Sequence, residues 1–512
     1  MSGGATSETM AADDRASTGA GSIGRPGLVA RVGLPQLLIL ALALRLCALA
    51  IATPAHPDEV FQYLETAHRL VFGQGVVTWE WRYGMRGWLL PLLVAGPMWL
   101  GGVLAPGSGL YLFLAKFVAT LASLSVVWVA WRLGERLSRL HAQVAAFVAA
   151  IWFEFVYFAP HVMSETAGVL LILPAAWLLV DKARWSTPRL ALASALLAAA
   201  VTIRFQYAPA VAALAVAACV FDLRRCWLPL LVGGAVGLLP SILADLAMGA
   251  TPFAWVLENV RLNLIENRAA NYSVSGPLGY LGEAWPRTAL WAVPLIGLAA
   301  IGARRYPALA WMAVVNLVFH SLIAHKEYRF ILLSVAATVL LAAIGTADWV
   351  AHVERKDGPK PARERLSFLL VVWVLASISC GLGGFRDQWM KFRPEMQLYT
   401  RLRGDPSLCG LAVYRHDWSV TGGYAHLHRV TPMFLFDDKD AGRPAANLAS
   451  SAAAFNTVLA APGLAGELPA GFASMACEGR GPRRMCLYRR AGSCDPAPSR
   501  FEINAVLRRI DQ

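Results

Sequence analysis

Charged residues are scarce in this sequence, and several common functional signatures are missing from it. Asp, Glu, Lys and Arg supply 15% of the 512 residues and hydrophobic residues supply 57%, with a mean hydropathy of +0.50. A soluble chain of this length could not bury so much apolar surface around cores of ordinary size. No internal repeat, phosphate-binding glycine loop or paired metal-ligand motif occurs. The composition therefore excludes an ordinary soluble protein, and a nucleotide site has no support.

Long apolar runs are present instead. The first, 33–53, is longer than the core of a signal peptide, and because many more runs follow we expect a retained membrane span. Twelve runs cannot place the amino terminus inside and the carboxyl terminus outside, so we expect eleven or thirteen spans. A count of eleven would mean that the run interrupted by Pro97 does not cross the membrane. The later runs fall near 88–104, 111–131, 143–160, 163–180, 188–203, 208–221, 228–246, 288–302, 308–324, 330–349 and 367–384.

The charge pattern predicts the orientation of these spans. The net charge of +13 comes from 46 basic against 33 acidic residues, which in a soluble protein would indicate a nucleic-acid partner. Here the basic residues gather in short loops between apolar runs, so the positive-inside rule explains them and no nucleic-acid partner is expected. The rule places 54–87, 247–287, 325–329 and everything after 385 outside the cytoplasm.

The composition divides the chain into three parts. Residues 1–30 are rich in Gly, Ser, Ala and Thr and are predicted to form a disordered tail. Residues 31–384 are predicted to form an all-α transmembrane domain. Residues 385–512 contain short β-branched pieces separated by Gly/Pro turns, which predict a small extracytoplasmic α/β domain. The expected strands lie near 411–414, 432–436, 457–460 and 485–488.

The eight cysteines fall into two groups of four. Those in or beside apolar runs are expected to be small buried hydrophobes, whereas those in the polar C-terminal part lack zinc-site spacing and fit disulfides outside the cytoplasm. We expect two disulfides, with Cys409 bonded to one of the other three C-terminal cysteines. The two groups are Cys47, Cys219, Cys226 and Cys380, and Cys409, Cys477, Cys486 and Cys494.

The first external loop contains a helix signal beside several polar side chains. Pro57 suits a first helical position, and Gly73 can end the helix. In a regular α-helix Asp58, Gln62 and Glu65 would share one face, since they are spaced i, i+4 and i+7. The simplest interpretation of Asp58 from local sequence is an acid that complements the dipole of a surface helix.

Three motifs in this chain together resemble a known family. They are His56-Pro57-Asp58-Glu59 with the pair Glu65 and His68, then Thr78-Trp79-Glu80-Trp81 with Arg86, and finally His325-Lys326-Glu327-Tyr328-Arg329-Phe330. Their order and their intervals between apolar runs are similar to those of the ER α-mannosyltransferases that elongate the GPI anchor glycan and the dolichol-linked oligosaccharide. The resemblance covers roughly residues 35–350 and gives no motif in the C-terminal domain.

The resemblance implies a GT-C fold, a polyprenyl-phosphate-mannose donor, inversion at the anomeric carbon and an essential acid at Asp58. A polyprenyl phosphate is already a good leaving group, so the enzyme needs one base for the acceptor hydroxyl and cations for the phosphate. We assign Asp58 as base, with Glu59 and Glu65 as its polar support, and Lys326 and Arg329 as the phosphate-binding pair. The other candidate substrate-binding residues are His56, Gln62, Trp79, Glu80, Arg86, Arg204 and His325.

Other polar residues near the spans have simpler explanations. Arg45, inside the first span, fits either a buried pair with Glu154 or a donor-site role. Three polar residues at the start of a later span, His161, Ser164 and Glu165, are best explained as an ordinary span boundary. The polar loop near 247–287 could be a plain loop or could contact sugar. It includes Trp255, Asn259 and Asn263.

These observations predict a membrane enzyme that transfers a hexose from a polyprenyl-phosphate donor to an extracytoplasmic glycan or glycolipid. Its membrane would be the bacterial cytoplasmic membrane, or the ER membrane in a eukaryote. No cofactor is predicted, and a divalent metal at His56, Asp58 and Glu59 stays an open alternative. The competing function is a secondary transporter or lipid-sugar flippase, although the internal repeat typical of transporters is absent. A binding or assembly protein with a decayed transferase fold is the third alternative.

Overall fold

The computed structural model describes residues 32–271, 274–438, 443–495 and 499–510. The predicted disordered tail lies outside the described residues. Within them, a bundle of apolar helices is followed by a small sheet domain. The α-helices of the bundle are Leu34–Ile51, Leu89–Leu104, Leu110–Ala122, Leu124–Glu135, Arg139–Ile151, Phe153–Tyr157, Ser164–Val180, Thr187–Ile203, Ala208–Cys219, Leu223–Ala247, Ala292–Ala303, Pro307–Leu322, Leu332–Asp357 and Pro359–Ser379.

Shorter helices occupy the loops and the C-terminal region. The loop α-helices are Glu65–Phe72, Trp79–Arg82, Ala254–Val260, Gly279–Thr288 and Arg386–Trp389, and those of the C-terminal domain are Arg393–Arg403, Gly423–Leu427, Pro444–Ser450 and Ile503–Ile510. π-helical turns lie at Glu59–Leu64, Arg261–Ile265 and Cys380–Gly384. The 3₁₀ turns are Lys182–Arg184, Phe205–Tyr207, Val220–Asp222, Arg268–Asn271, Ala289–Trp291, Tyr328–Ile331, Trp418–Val420, Ala452–Ala454, Pro462–Glu467 and Gly481–Arg483.

The bundle is a multi-pass membrane domain, as predicted. Five helical segments are long and apolar enough to span a bilayer, and one pair bent by 104° could form a sixth span. Five more apolar helices have 10–17 residues, including Leu89–Leu104 around Pro97. Many large apolar side chains point outward from these helices, where lipid would cover them. The expected count of eleven or thirteen spans stays a prediction.

Glycines allow two pairs of helices in the bundle to approach closely. A Cβ atom added to Gly302 would overlap the carbonyl oxygen of Leu341, and one added to Gly345 would overlap that of Leu298. The same relation holds between Gly233 and the carbonyl of Ala191. Small residues at such crossings let helix backbones come into van der Waals contact, which is a main source of stability between membrane helices.

Arg45 joins two helices inside the bundle and has no part in a site. Its guanidinium is fully buried and donates to Ser123 Oγ at 3.0 Å and to the carbonyls of Ala149 and Ala150 at 3.1 Å. The predicted pair with Glu154 is wrong, because the Glu154 carboxylate accepts hydrogen bonds from Trp152 and Tyr328 instead. Carbonyls near a helix end lack intrahelical donors, and the five N–H groups of an arginine satisfy them.

The C-terminal domain contains a mixed five-stranded sheet in the order β2-β1-β3-β5-β4. Strand β1 runs parallel to its neighbours β2 and β3, while β5 is antiparallel to β3 and β4. The four predicted strands are confirmed to within one residue at each end. Strand β4 was not predicted, because it is a partly exposed edge strand with few β-branched or aromatic residues. The strands are β1 Leu411–Tyr414, β2 Met433–Phe436, β3 Thr457–Ala460, β4 Ala473–Glu478 and β5 Met485–Arg489.

The two predicted disulfides are confirmed. Cys409 is bonded to Cys494, and Cys477 to Cys486. The first bond ties the segment before β1 to the chain after β5, and the second joins neighbouring strands β4 and β5. Among the described residues the other four cysteines are free, and three of them are buried, whereas Cys47 is exposed on the first helix.

The Gly302 crossing provides a test of the helix packing. Gly302→Ala should destabilise the protein by about 1–3 kcal/mol, the usual cost of forcing extra atoms into a packed contact. Gly297 lies in the same helix with no atom within 4 Å of an added Cβ, so Gly297→Ala is the matched control. That control should be neutral or should raise stability by up to about 1 kcal/mol, because alanine favours the helix. Thermal unfolding in detergent measures both variants, and equal unfolding temperatures would contradict the packing argument.

Candidate active site

A π-helical turn in the first external loop sends neighbouring acidic side chains in different directions. The turn covers Glu59–Leu64 and continues directly into the α-helix Glu65–Phe72. A π-turn contains an extra residue relative to an α-helix, so positions i, i+4 and i+7 no longer share one face. The prediction that Glu65 supports Asp58 from a common helix face is therefore wrong, whereas Gln62 remains beside Asp58 on the wall of one cavity.

Asp58 lies at the centre of a cluster of ion pairs. Its Oδ2 accepts a hydrogen bond from Arg329 Nη2 at 2.7 Å, and Arg86 Nη2 lies 3.8 Å from the same oxygen. His56 Nδ1 lies 3.5 Å from Oδ1. The Asp58 side chain remains 22% exposed while that of Arg329 is 9% exposed, so the carboxylate is open to a substrate and its partner is held in the protein. The predicted motifs at 56–59 and 325–330 thus meet in space.

Arg329 forms ion pairs with three carboxylates from separate parts of the chain. Besides Asp58 it pairs with Glu165 Oε1 at 2.9 Å and with Glu327. Arg204 Nη1 contacts the same Glu165 oxygen at 3.0 Å. Glu165 begins the helix Ser164–Val180, where the sequence favoured a simple span boundary. That interpretation is wrong, because Glu165 holds two arginines in position.

A cavity of about 500 Å³ opens beside this cluster. Most of the candidate residues line it, including Trp79, His325 and three arginines. Asn259 and Asn263 of the 247–287 loop also line the cavity, so they lie where the sugar-contact alternative requires. The candidate residues on its wall are His56, Asp58, Gln62, Trp79, Glu80, Arg86, Arg204, His325 and Arg329, and the residues that sequence reasoning missed are Phe205, Gln206, Phe319, His320, Trp418 and Ser419.

The pKa values of Asp58 and Glu80 are shifted in opposite directions. Burial alone would raise the pKa of Asp58, but Arg329, His56 and Arg86 together hold it well below its usual range. Burial and the nearby Asp58 carboxylate raise the pKa of Glu80, although its ion pair with Arg86 opposes the shift. Without substrate, Asp58 is therefore ionised and neutralised by arginine, which makes it a weak base.

Glu59 does not line either cavity of the site. Its fully buried carboxylate accepts from the Ala55 N–H at 2.7 Å and contacts His161 Nδ1 at 2.8 Å and Lys116 Nζ at 3.4 Å. Burial opposes ionisation, yet His161 and Lys116 lower the pKa of Glu59 to about 2. The predicted supporting role beside Asp58 is wrong, because Glu59 anchors the loop to the bundle. Asp58 and Glu59 also point apart, so the two carboxylates do not share a metal-binding geometry.

Glu65 is directed at the C-terminal domain. Its carboxylate accepts hydrogen bonds from the backbone N–H groups of Val76 at 2.7 Å, Tyr424 at 2.9 Å and Ala425 at 2.6 Å. A Cβ at Gly423, whose φ is +56°, would lie 2.6 Å from Glu65 Oε2. Burial raises the pKa of Glu65 to about 7, and the three N–H donors oppose that shift. Glu65 therefore joins the first loop to the sheet domain.

Lys326 lies on a second, smaller cavity of about 200 Å³. It precedes the 3₁₀ turn Tyr328–Ile331 that contains Arg329, so the two residues of the predicted phosphate-binding pair do not lie on one helix. Its Nζ donates to the carbonyls of Ile323 at 2.6 Å and Ser275 at 3.0 Å. The smaller cavity shares His56, Glu327 and Arg329 with the larger one. Lys326 does not line the large cavity, where Arg86 and Arg204 are the other arginines beside Arg329.

A multi-pass helical bundle that presents an external carboxylate, arginines and amides around one cavity defines a membrane glycosyltransferase of the GT-C class. The chain belongs to the Alg9-like mannosyltransferase family, whose family model matches residues 36–395. This agrees with the resemblance found in the sequence motifs and makes the protein an enzyme of the mannosyltransferase group.

Individual relatives carry names within this group. GPI mannosyltransferase 3 of Yarrowia lipolytica is 28% identical over 397 residues, which cover 76% of this chain and 74% of the relative. Mannosyltransferase APTG1 of Arabidopsis thaliana is 49% identical over 67 residues, covering 13% of this chain and 12% of its own length.

Solved structures share the fold at low sequence identity. ArnT from Cupriavidus metallidurans bound to undecaprenyl phosphate superposes with a TM-score of 0.59 at 12% identity, covering 91% of this chain and 99% of ArnT. The apo state of the same protein gives a TM-score of 0.54 at 13% identity, covering 89% and 97%. These similarities establish a common architecture for the membrane bundle and the domain that follows it.

Glu65→Gln tests the link between the first loop and the C-terminal domain. The amide keeps the shape but turns an N–H group toward a backbone donor, which should cost about 1–3 kcal/mol. The unfolding temperature should fall, and amide exchange at Val76 and Ala425 should become faster. Asp387→Asn is the control, because its carboxylate is 81% exposed and such an ion pair contributes little. Unchanged exchange at both amides would show that Glu65 does not hold the domain.

Proposed function

We propose that the protein transfers mannose from a polyprenyl-phosphate-mannose donor to a glycan or glycolipid acceptor, with inversion and with Asp58 as base. The observation that carries the proposal is the position of Asp58, which is open to a large cavity whose other charged residues include Arg86, Arg204 and Arg329. A base for a hydroxyl and cations for a phosphate therefore face the same space, as this reaction requires.

The ion pairs suggest how the donor prepares the base. Arg329 contacts Asp58, Glu165 and Glu327 through three different nitrogens, so a phosphate that binds it would share its positive charge with these carboxylates. Removing part of that positive charge from Asp58 raises the basicity of its carboxylate. The acceptor hydroxyl then attacks the anomeric carbon, its proton passes to Asp58, and the bond from that carbon to the phosphate oxygen breaks. The polyprenyl phosphate leaves with the electron pair, and the arginines stabilise its added negative charge.

Arg204 is the cation best placed for the phosphate. It is buried, it lines the cavity, and its Nε has no hydrogen-bond partner. Phe330 lies under its guanidinium at 4.9 Å, and Phe205 and Phe319 form apolar wall nearby in the same cavity. A charged group surrounded by aromatic side chains at the ends of membrane helices suits the phosphate of a lipid whose tail stays in the bilayer.

The relatives support the same donor and acceptor classes. Those named GPI mannosyltransferase 3 indicate a glycolipid acceptor, and the ArnT structure with undecaprenyl phosphate shows that the shared fold accommodates a polyprenyl phosphate. The active site would face the ER lumen or, in a bacterium, the periplasmic side of the cytoplasmic membrane. Membership of a mannosyltransferase family rules against the flippase or transporter considered from the sequence. Release of free polyprenyl phosphate by purified protein measures the transfer directly.

Asp58→Asn tests the base. The amide preserves shape but cannot accept the proton, so turnover should fall by roughly 10²–10⁴-fold, the usual contribution of general base catalysis. Donor affinity should survive, because Arg329 keeps its position and loses a competing carboxylate. Single-turnover transfer and donor binding are measured on protein with an unchanged unfolding temperature. Near-normal transfer would move the role to another carboxylate on the cavity, with Glu80 the first candidate.

Arg204→Ala and Arg329→Ala test the phosphate contact. Each should raise the KM for donor and lower kcat together, since a phosphate contact stabilises both the bound donor and the leaving group. The expected loss in kcat/KM is about 10²-fold or more, as for other buried charge contacts. Arg261→Ala, at a side chain 47% exposed, is the control. A larger loss in Lys326→Ala than in Arg204→Ala would assign the phosphate to the smaller cavity.

A further inference from the structure

The C-terminal domain shares its hydrophobic core with the catalytic loop. Val60 and Phe61 of the π-turn, and Val76 after it, are buried among the same cluster as residues of the sheet, such as Leu411 and Leu487. Asn504 reinforces the contact, because its side chain accepts from the Val77 N–H at 2.7 Å and donates to the Gly75 carbonyl at 3.2 Å. The loop that carries Asp58 is thus built jointly by the two domains.

The same domain contributes part of the cavity wall. Trp418 and Ser419 line it from a 3₁₀ turn that begins after Asp417, whose Oδ1 accepts from the Ser419 N–H at 2.9 Å. The Trp418 ring meets the edge of Phe61 at a centroid distance of 4.8 Å and an interplanar angle of 74°. Trp418 is only partly buried, so its indole ring packs against Phe61 and is still accessible from the cavity.

We propose that Trp418 is a stacking platform for a sugar ring of the acceptor, and that the C-terminal domain thereby forms part of the acceptor subsite. A pyranose has an apolar C–H face and hydroxyls around its edge. An indole face suits the apolar C–H face of the sugar. The nearby polar side chains Gln62, Thr78 and Ser419 suit its hydroxyls. This inference rests on the proposed function and adds the part of the site that recognises the acceptor.

The position of Trp418 favours the acceptor over the donor. The apolar and cationic residues suited to a lipid phosphate come from the ends of membrane helices, namely Arg204, Phe319 and Phe330. Trp418 instead comes from the domain beyond the membrane. Its partner Phe61 follows Asp58 by three residues in the π-turn, and Trp418 and Asp58 line the same cavity. A hexose ring lying on Trp418 would therefore occupy the cavity to which the Asp58 carboxylate is open.

Kinetics with defined substrates test the proposal. The donor is polyprenyl-phosphate mannose, and the acceptor probe is a synthetic dimannoside with an alkyl chain. Trp418→Ala should raise the KM for the dimannoside by between about threefold and about tenfold, the range expected for one aromatic contact. The KM for donor should stay within twofold of the wild-type value. Trp418→Phe keeps an aromatic face and should restore most of the acceptor affinity.

A control and a second readout separate the possible failures. Met475→Ala removes another partly exposed apolar side chain of the same domain, 46% exposed on β4, and should leave both KM values unchanged. Donor hydrolysis without acceptor should proceed equally in wild type and Trp418→Ala, which shows an intact donor site. An unchanged dimannoside KM in Trp418→Ala, with active wild-type enzyme, would overturn this proposal alone. No transfer to any acceptor by wild-type enzyme would instead overturn the proposed function.

Discussion

The ion pair between Asp58 and Arg329 is the contact on which the rest of the site depends. It joins the first external loop to a loop 271 residues later, and Arg329 also holds Glu165 at the start of a third segment. Carboxylates compensate the charge of the largely buried Arg329 guanidinium, and they are weak bases while they pair with it. Under the proposed function, a phosphate-bearing donor would compete with Asp58 for the charge of Arg329, and binding of the donor before the acceptor would follow from that competition.

Three acidic residues within eight positions of the first loop contact different parts of the protein. Glu59 binds His161 and Lys116 of the bundle, Glu65 binds backbone N–H groups of the C-terminal domain, and Asp58 faces the cavity. The π-turn makes this divergence possible, since a regular helix would have directed Asp58 and Glu65 the same way. The extra residue costs some helical stability, and such turns are retained mostly where function needs them. The loop that carries Asp58 is consequently held by the bundle through Glu59 and by the C-terminal domain through Glu65.

The sequence was sufficient for features that depend on local pattern. Apolar runs predicted the bundle. Short β-branched pieces between turn residues predicted four strands, and the four cysteines of the C-terminal part predicted two disulfides. The motif around Asp58 and the motif around Arg329 were correctly linked by resemblance. The sequence failed where the answer depended on a backbone irregularity or on distant packing. No residue pattern distinguishes a π-turn from an α-helix, so the direction of Glu65 was missed, and Glu165 looked like any acid at a helix start.

Trp418 was not identified from the sequence because of its position in the chain. The family model ends at residue 395, and the resemblance of motifs ends earlier still, so the wall supplied by the C-terminal domain lies outside the matched part. The matched part contains Asp58 and the arginines around it. Under the proposed function these residues would act on the donor and the transferred proton, whereas the domain that follows would contact the acceptor. The shared hydrophobic core around Phe61 fixes the position of Trp418 beside the loop that carries Asp58.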